Sequence, residues 1–320
     1  MRGSSLEIRS WLLVLLLRRL VILRSILIIS RKMTATDSFG SVFREGLFAD
    51  KVVLCTGGSG TICSRQVALL VTLGANAAIV GRKKDAADSA AAAIKQLRAG
   101  SKVIGIAADV RSISAMNEAV DQAVKELGKI DFVICGAAGN FLADFQHLSA
   151  NAFKTVVDID LLGSFNTVKA AQAQLMQNKG VVIFVSTTLH YYGVQFQSHV
   201  GAAKAGVDAL SRSLAVELGP FGVRLNCIAP GPISGTEGFN RLLPSDLREK
   251  AAKAVPLQRF GSVEDIAAAT AFLFSDAASY ITGTTIVVDG GAWQIGQSSL
   301  PYPDGKVFPS DLASFLLTQV

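Results

Sequence analysis

The chain lacks the cysteine pattern of a metal module or a disulfide scaffold. Its four cysteines, Cys55, Cys63, Cys135 and Cys227, form no C-x-x-C pair. No His, Cys and Asp grouping has metal-ligand spacing, so no metal is expected. A chain of 320 residues, half of them hydrophobic, can bury a full core without such staples. Cys55, Cys135 and Cys227 lie at or near the ends of apolar runs. They read as buried thiols in a reducing compartment.

A membrane-spanning run is also missing. Near the N-terminus the longest uninterrupted apolar stretch is Trp11–Leu17, followed by Arg18, Arg19 and then Arg24. A spanning helix needs about 20 mostly apolar residues, and an arginine at mid-span costs a few kcal/mol. Residues 1–32 are therefore read as a targeting segment, an interfacial helix or a dispensable extension ahead of Met33. Of these, membrane association of the leader is the less expected. Residues 33–50 form a lead-in, 51–293 the folded domain and 294–320, with three prolines, an irregular tail.

The net charge of +6 does not indicate a polyanion partner. Residues 1–32 hold seven basic residues against Glu7 alone, and the remainder carries 24 basic and 24 acidic residues. No nucleic-acid footprint remains once the leader is set aside.

From residue 51 onward, short β-rich runs alternate with longer helical ones. Strands are expected at Val52–Cys55, Ala77–Val80, Val103–Ala107, Phe132–Cys135, Val181–Val185, Arg224–Ile228 and Thr285–Val288. Helices are expected at Arg65–Leu73, Ala86–Ala99, Ile113–Leu127, Ala152–Gln177, Ala202–Leu218 and Val263–Phe274. This alternation implies right-handed crossovers and one Rossmann-type, doubly wound parallel seven-stranded sheet covered on both faces. No gap is long enough for a second domain.

The run Thr56-Gly57-Gly58-Ser59-Gly60-Thr61-Ile62 sits between the first strand and the first helix. Glycines there let backbone N–H groups approach a pyrophosphate at the helix N-terminus. Thr56, Gly57, Ser59, Gly60, Thr61 and Ile62 are the candidate cofactor contacts. The second strand ends at Val80-Gly81-Arg82, without the carboxylate that would bind a ribose 2′-hydroxyl. Arg82 is suited instead to a 2′-phosphate, so NADPH is the expected cofactor. Asp109 closes the third strand, where it would meet the adenine edge.

These residues, with Gly136-Ala137-Ala138-Gly139, Lys204, Pro230-Gly231-Pro232-Ile233 and Val288-Asp289-Gly290-Gly291, resemble the short-chain dehydrogenase/reductase superfamily over roughly residues 50–293. The departures narrow the resemblance. Thr61 and Cys63 stand where that superfamily usually has glycine. Val200 stands where its catalytic tyrosine would fall, and Asp160 where its usual asparagine would. Together these are similar to the peroxisomal 2,4-dienoyl-CoA reductases, especially their fungal branch. Asn140-Phe141-Leu142 and Ser234-Gly235-Thr236-Glu237-Gly238 fit that pattern too.

A carbonyl reductase needs an acid close to the new alkoxide, and Val200 supplies none. A conjugated dienoyl thioester instead requires stabilisation of a dienolate oxygen and delivery of a proton to carbon. The resemblance implies NADPH-dependent reduction of 2,4-dienoyl-CoA to 3-enoyl-CoA in the auxiliary β-oxidation of unsaturated fatty acids. It makes Lys204 a cofactor-binding and catalytic residue and Asp160 the acid relay. Ala138, Ser186, Pro230 and Ile233 then belong to the cofactor site, and Asn140, Phe141 and Thr187 to the substrate site.

His190, Tyr191 and Tyr192 read as wall residues. His199 reads as a helix-start surface or capping group. The segment Gly235–Arg259, with Arg241, Arg248, Lys250 and Lys253, is expected to be mobile and to offer some cations to coenzyme A. The resemblance also implies a peroxisomal location and a homo-oligomer, either dimer or tetramer. The chain ends Leu317-Thr318-Gln319-Val320 rather than in a Ser-Lys-Leu-like tripeptide, so cytoplasm or mitochondrion stay open. Other readings are a reductase of a polyunsaturated secondary metabolite, an NADPH-binding pseudoenzyme and a membrane-anchored carbonyl reductase. Asp160 and Lys204 occurring together argue against the pseudoenzyme.

Overall fold

A computed structural model describes residues 42–236, 238–239 and 245–296. The leader, most of the C-terminal tail and Arg241 lie outside the described residues. Seven strands form one parallel sheet in the order β3-β2-β1-β4-β5-β6-β7. They are β1 Val52–Thr56, β2 Asn76–Gly81, β3 Val103–Ala107, β4 Phe132–Cys135, β5 Val181–Val185, β6 Arg224–Pro230 and β7 Thr285–Val288. β1 pairs with both β2 and β4. The chain thus reverses its direction of travel across the sheet beside β1, leaving a crevice at the carboxyl ends of β1 and β4.

Both faces of the sheet are buried, which explains why the inner strands are continuous apolar runs rather than alternating ones. Alternate side chains of each strand enter opposite layers. Val53, Cys55, Ile79, Ile134 and Ile183 pack with α1 (Thr61–Thr72), α2 (Lys84–Lys95) and α8 (Val263–Phe274). Leu54, Val80, Val133, Val182, Phe184 and Leu225 pack on the other side with α3 (Ile113–Leu127), α5 (Gly163–Asn178) and α6 (Ser198–Leu218). All four cysteines are free and buried, as expected for Cys55, Cys135 and Cys227. The lead-in also joins the core: Phe48 is buried and lies edge-on to Phe132, which stacks on Phe274.

Helix starts follow local chemistry. Ser112 caps α3 and Ser149 caps α4 (Ala150–Val157) through their side-chain oxygens. Ser262 and Asp265 form a complete capping box on α8. α7 is the short Arg248–Ala254 helix. Among the described residues no helix is long and apolar enough to cross a membrane.

Several boundaries differ from the sequence expectation: α1 starts at Thr61 rather than Arg65, and α2 spans Lys84–Lys95 rather than Ala86–Ala99. The single helix expected over Ala152–Gln177 is interrupted by a π-helical turn at Asp158–Leu162 between α4 and α5. One wider turn shifts the register and carries Asp160 inward, a common use of such bulges. In addition, α6 starts at Ser198 rather than Ala202. That extra turn places His199 and Val200 inside a buried helix.

Candidate active site

The glycine loop between β1 and α1 brings main-chain donors to the crevice. Gly57 adopts φ 66°, a conformation that favours glycine. A side chain there would also strike the Gly136 carbonyl of the neighbouring loop. α1 begins at Gly60 with no side-chain cap and no acidic residue in its first turn. Its leading N–H groups therefore remain available, unlike those of the capped α3 and α8, and the helix dipole favours an anion. Ser59, Gly60 and Thr61 are exposed at this end, and Ile62 is half-buried against the core.

Other expected cofactor residues are distributed around the same crevice. Arg82 is exposed at the end of β2. Its charge helps lower the Asp109 pKa, although the larger cause is the hydrogen bond from Arg111. Arg111 Nε donates to Asp109 Oδ1 at 3.0 Å. This second guanidinium was missed in the sequence; its signal was the Asp-x-Arg spacing after β3. Thr56 is committed to structure: Oγ1 donates to the Ile134 carbonyl at 3.3 Å and accepts from Gly136 N–H at 3.3 Å. Ile233 is likewise taken into the core, and Pro230 accepts from Thr188 N–H through its carbonyl. Ala138 is exposed on the β4 loop.

At the centre lie Asp160 and Lys204. Asp160 is fully buried and Lys204 nearly so. Asp160 Oδ1 accepts from the Gly139 N–H at 2.7 Å, while Oδ2 faces Lys204 Nζ at 3.2 Å. Oδ2 makes no hydrogen bond, so it keeps acceptor capacity. Lys204 Nζ donates to the Val185 carbonyl at 2.8 Å. The π-turn, the β4 loop, the end of β5 and α6 thus meet at one ion pair. Ser186, which follows Val185 at the end of β5, is buried and Thr187 half-buried. Thr187 Oγ1 accepts from Leu189 N–H at 3.4 Å. Val200 is buried against Val156 and Ala203, with Phe141 packed on them, so no hydroxyl occupies that position.

Some expectations are corrected here. His199 is not a surface or capping group: it is fully buried, with its ring stacked on Phe141 at a centroid distance of 4.2 Å. The early start of α6 is the physical reason. The Arg248 guanidinium lies 5.2 Å from the Phe239 ring centroid. Lys253 pairs with Glu249 at 3.2 Å. His190, next to Tyr191, reaches the buried Asp208, with Nε2 3.0 Å from Oδ2; Asp208 raises the Tyr191 pKa, second to burial, to about 12. No group of three or more His, Cys, Asp or Glu side chains able to hold a metal occurs among the described residues.

A parallel sheet with a glycine-rich loop leading into an uncapped first helix at its reversal point, and a lysine held at the end of β5, defines a dinucleotide-binding oxidoreductase. The chain belongs to the short-chain dehydrogenase/reductase family. The family described as enoyl-(acyl carrier protein) reductase matches residues 60–292. The chain is 57% identical over 256 residues to the peroxisomal 2,4-dienoyl-CoA reductase, (3E)-enoyl-CoA-producing, of Saccharomyces cerevisiae, covering 79% of this chain and 88% of that one. It is 42% identical to the enzyme of the same name from Danio rerio, covering 80% and 86%. Among solved structures, levodione reductase is similar at 31% identity and TM-score 0.72, covering 76% of this chain and 98% of that one. NAD+-bound xylitol dehydrogenase is similar at 26% identity and TM-score 0.72, covering 76% and 99%.

Proposed function

We propose that this chain is an NADPH-dependent 2,4-dienoyl-CoA reductase of auxiliary β-oxidation, producing a 3-enoyl-CoA. The observation that carries the reading is the buried Asp160–Lys204 pair, 3.2 Å apart, beside a valine where a carbonyl reductase would need its acid. The relatives' names support the same reaction.

The free N–H groups of α1 fit a pyrophosphate, and Arg82 fits a 2′-phosphate. Bound NADPH would supply the hydride, which adds at C5 of the conjugated acyl group. Charge then spreads to the thioester oxygen. Lys204, already oriented by Val185 and Asp160, places positive potential there. Asp160 Oδ2 holds an ordered water through its unused acceptor capacity and relays a proton to the α-carbon. Asn140, Phe141 and Thr187 bound the acyl-thioester side of the site, and Ser186 and Ala138 the cofactor side. The joint presence of Asp160 and Lys204 as a buried pair disfavours a scaffold role.

The compartment follows the relatives: a peroxisomal location is proposed from their names. A homo-oligomer is proposed from the exposed apolar side chains of Leu162, Phe165 and Val216 along the π-turn, α5 and α6. Exposed large apolar side chains are available to such an interface, and light scattering reads the state directly.

The test is NADPH oxidation by purified protein given a 2,4-dienoyl-CoA, with a 3-oxoacyl-CoA and NADH as controls. Turnover specific to the dienoyl-CoA and NADPH is expected, falling about 10²–10⁴-fold in Asp160→Asn. Tight NADPH binding with no turnover of either thioester would overturn the reading.

A further inference from the structure

His199 occupies an unusual position for an imidazole. It is fully buried, one residue before the valine that replaces the expected tyrosine. Its Nε2 lies 3.1 Å from the Phe141 carbonyl oxygen. A carbonyl only accepts, so Nε2 carries the proton and the neutral ring has a bare Nδ1. That Nδ1 is buried without a hydrogen-bond partner. Burial pushes the His199 pKa down, in keeping with the neutral form. A residue needed only to fill this space would be apolar, because an unmet buried acceptor costs stability.

The contacts of His199 converge on one segment. The Phe141 carbonyl also accepts from Gln197 Nε2 at 3.1 Å. The imidazole stacks on the Phe141 ring with an interplanar angle of 26°, which fixes the ring plane. Two residues earlier, Gly139 N–H is held by Asp160. Two residues later, Ala143 N–H donates to the Phe196 carbonyl at 3.2 Å. Phe196 itself sits at φ 64°, in the left-handed region that a bulky residue enters only when its surroundings hold it there. Residues 139–143 are thus tied to the π-turn and to the start of α6, with Asn140 between two anchors.

We propose that His199 is a positioning residue for the acyl-thioester site: it holds the Phe141 ring and carbonyl so that the 139–143 segment presents a flat, fixed wall to a planar conjugated acyl group. The proposal rests on the dienoyl-CoA reductase reading. His199 acts through Phe141 and through the segment that Asp160 also grips, not on the reacting atoms. An imidazole suits this task because one ring both donates a directed hydrogen bond and stacks.

The experiment compares wild type, His199→Leu and His199→Gln. Steady-state kinetics with a 2,4-dienoyl-CoA, NADPH affinity by fluorescence and thermal midpoints are measured for each. His199→Leu is expected to raise KM for the dienoyl-CoA and lower kcat at least tenfold, with the NADPH Kd within twofold of wild type. His199→Gln retains a donor that can reach the Phe141 carbonyl and is expected to recover most of the kcat. In parallel, long-range ¹H–¹⁵N spectra of histidine-labelled wild type, which has three histidines, should show the Nε2–H tautomer for His199. Unchanged kcat and KM in His199→Leu, or a parallel loss of NADPH binding in both variants, would overturn the positioning role. A wild type inactive on dienoyl-CoA would instead overturn the underlying reading, and this proposal with it.

Discussion

The sulfur of Cys63 occupies the space that a side chain on Gly136 would need. Cys63 lies in the first turn of α1 and Gly136 begins the loop after β4. The two residues are therefore a matched pair where the first helix approaches the fourth strand. Cys63 fills the room that glycine leaves, at a position where the family usually has a glycine of its own.

Gly136→Ala should therefore overpack this junction and destabilise the protein by about 1–3 kcal/mol. Cys63→Ala should relieve much of that cost when combined with it. A double-mutant cycle in urea is expected to give clear non-additivity. Additive effects would mean that the two residues do not share this space.

Lys204→Met should cost stability as well as activity. It leaves the fully buried Asp160 carboxylate without its cation, a change that typically destabilises by about 3–5 kcal/mol. Adding Asp160→Asn removes the stranded charge and should recover part of the loss. Urea midpoints of the two single variants and the double variant measure this coupling.

Cofactor preference should depend on Arg82. Removing a charge-assisted contact to a 2′-phosphate, worth about 1.5–3 kcal/mol, should weaken NADPH binding about ten- to a hundredfold in Arg82→Ala. NADH binding should change little. Arg111 is held by Asp109, so Arg111→Ala should also loosen Asp109 and weaken both cofactors. Fluorescence titrations with NADPH and NADH separate the two effects.

Acid stability should depend on the start of α8. The Asp265 carboxyl is lowered from its ordinary 3.8 to about 2, first by the Arg259 hydrogen bond, with burial opposing and Ser262 adding to the lowering. A depressed carboxylate stabilises the fold above its unfolded pKa, and that contribution is lost as pH falls through about 2. Urea midpoints measured from pH 5 to pH 2 should fall less steeply in Asp265→Asn than in wild type. At neutral pH, Ser262→Ala should cost about 1 kcal/mol by removing the cap.

The strands and the order of elements were legible because buried parallel strands are written as unbroken apolar runs. Val103–Ala107, Ile113–Leu127, Phe132–Cys135 and Val181–Val185 occur at the boundaries that periodicity indicates. The glycine loop was legible because a close backbone approach leaves little choice of residue. Asp160 and Lys204 stood out as substitutions and retentions in a resembled pattern, while their ion pair did not. It depends on a π-turn, and one extra residue in a turn leaves almost no trace in a 3.6-residue period. His199 was misread for a related reason. A histidine near a helix start looks the same in sequence whether that turn faces solvent or the β4 loop. The Cys63–Gly136 fit was missed because it concerns a space between distant segments, whereas the Arg111–Asp109 pair, two residues apart, did have a local signal that was passed over. Local order, pattern and turn chemistry were carried by the amino-acid sequence alone. Which polar groups share one buried site was decided by tertiary packing, because burial and partner distance exist only once separate elements are brought together.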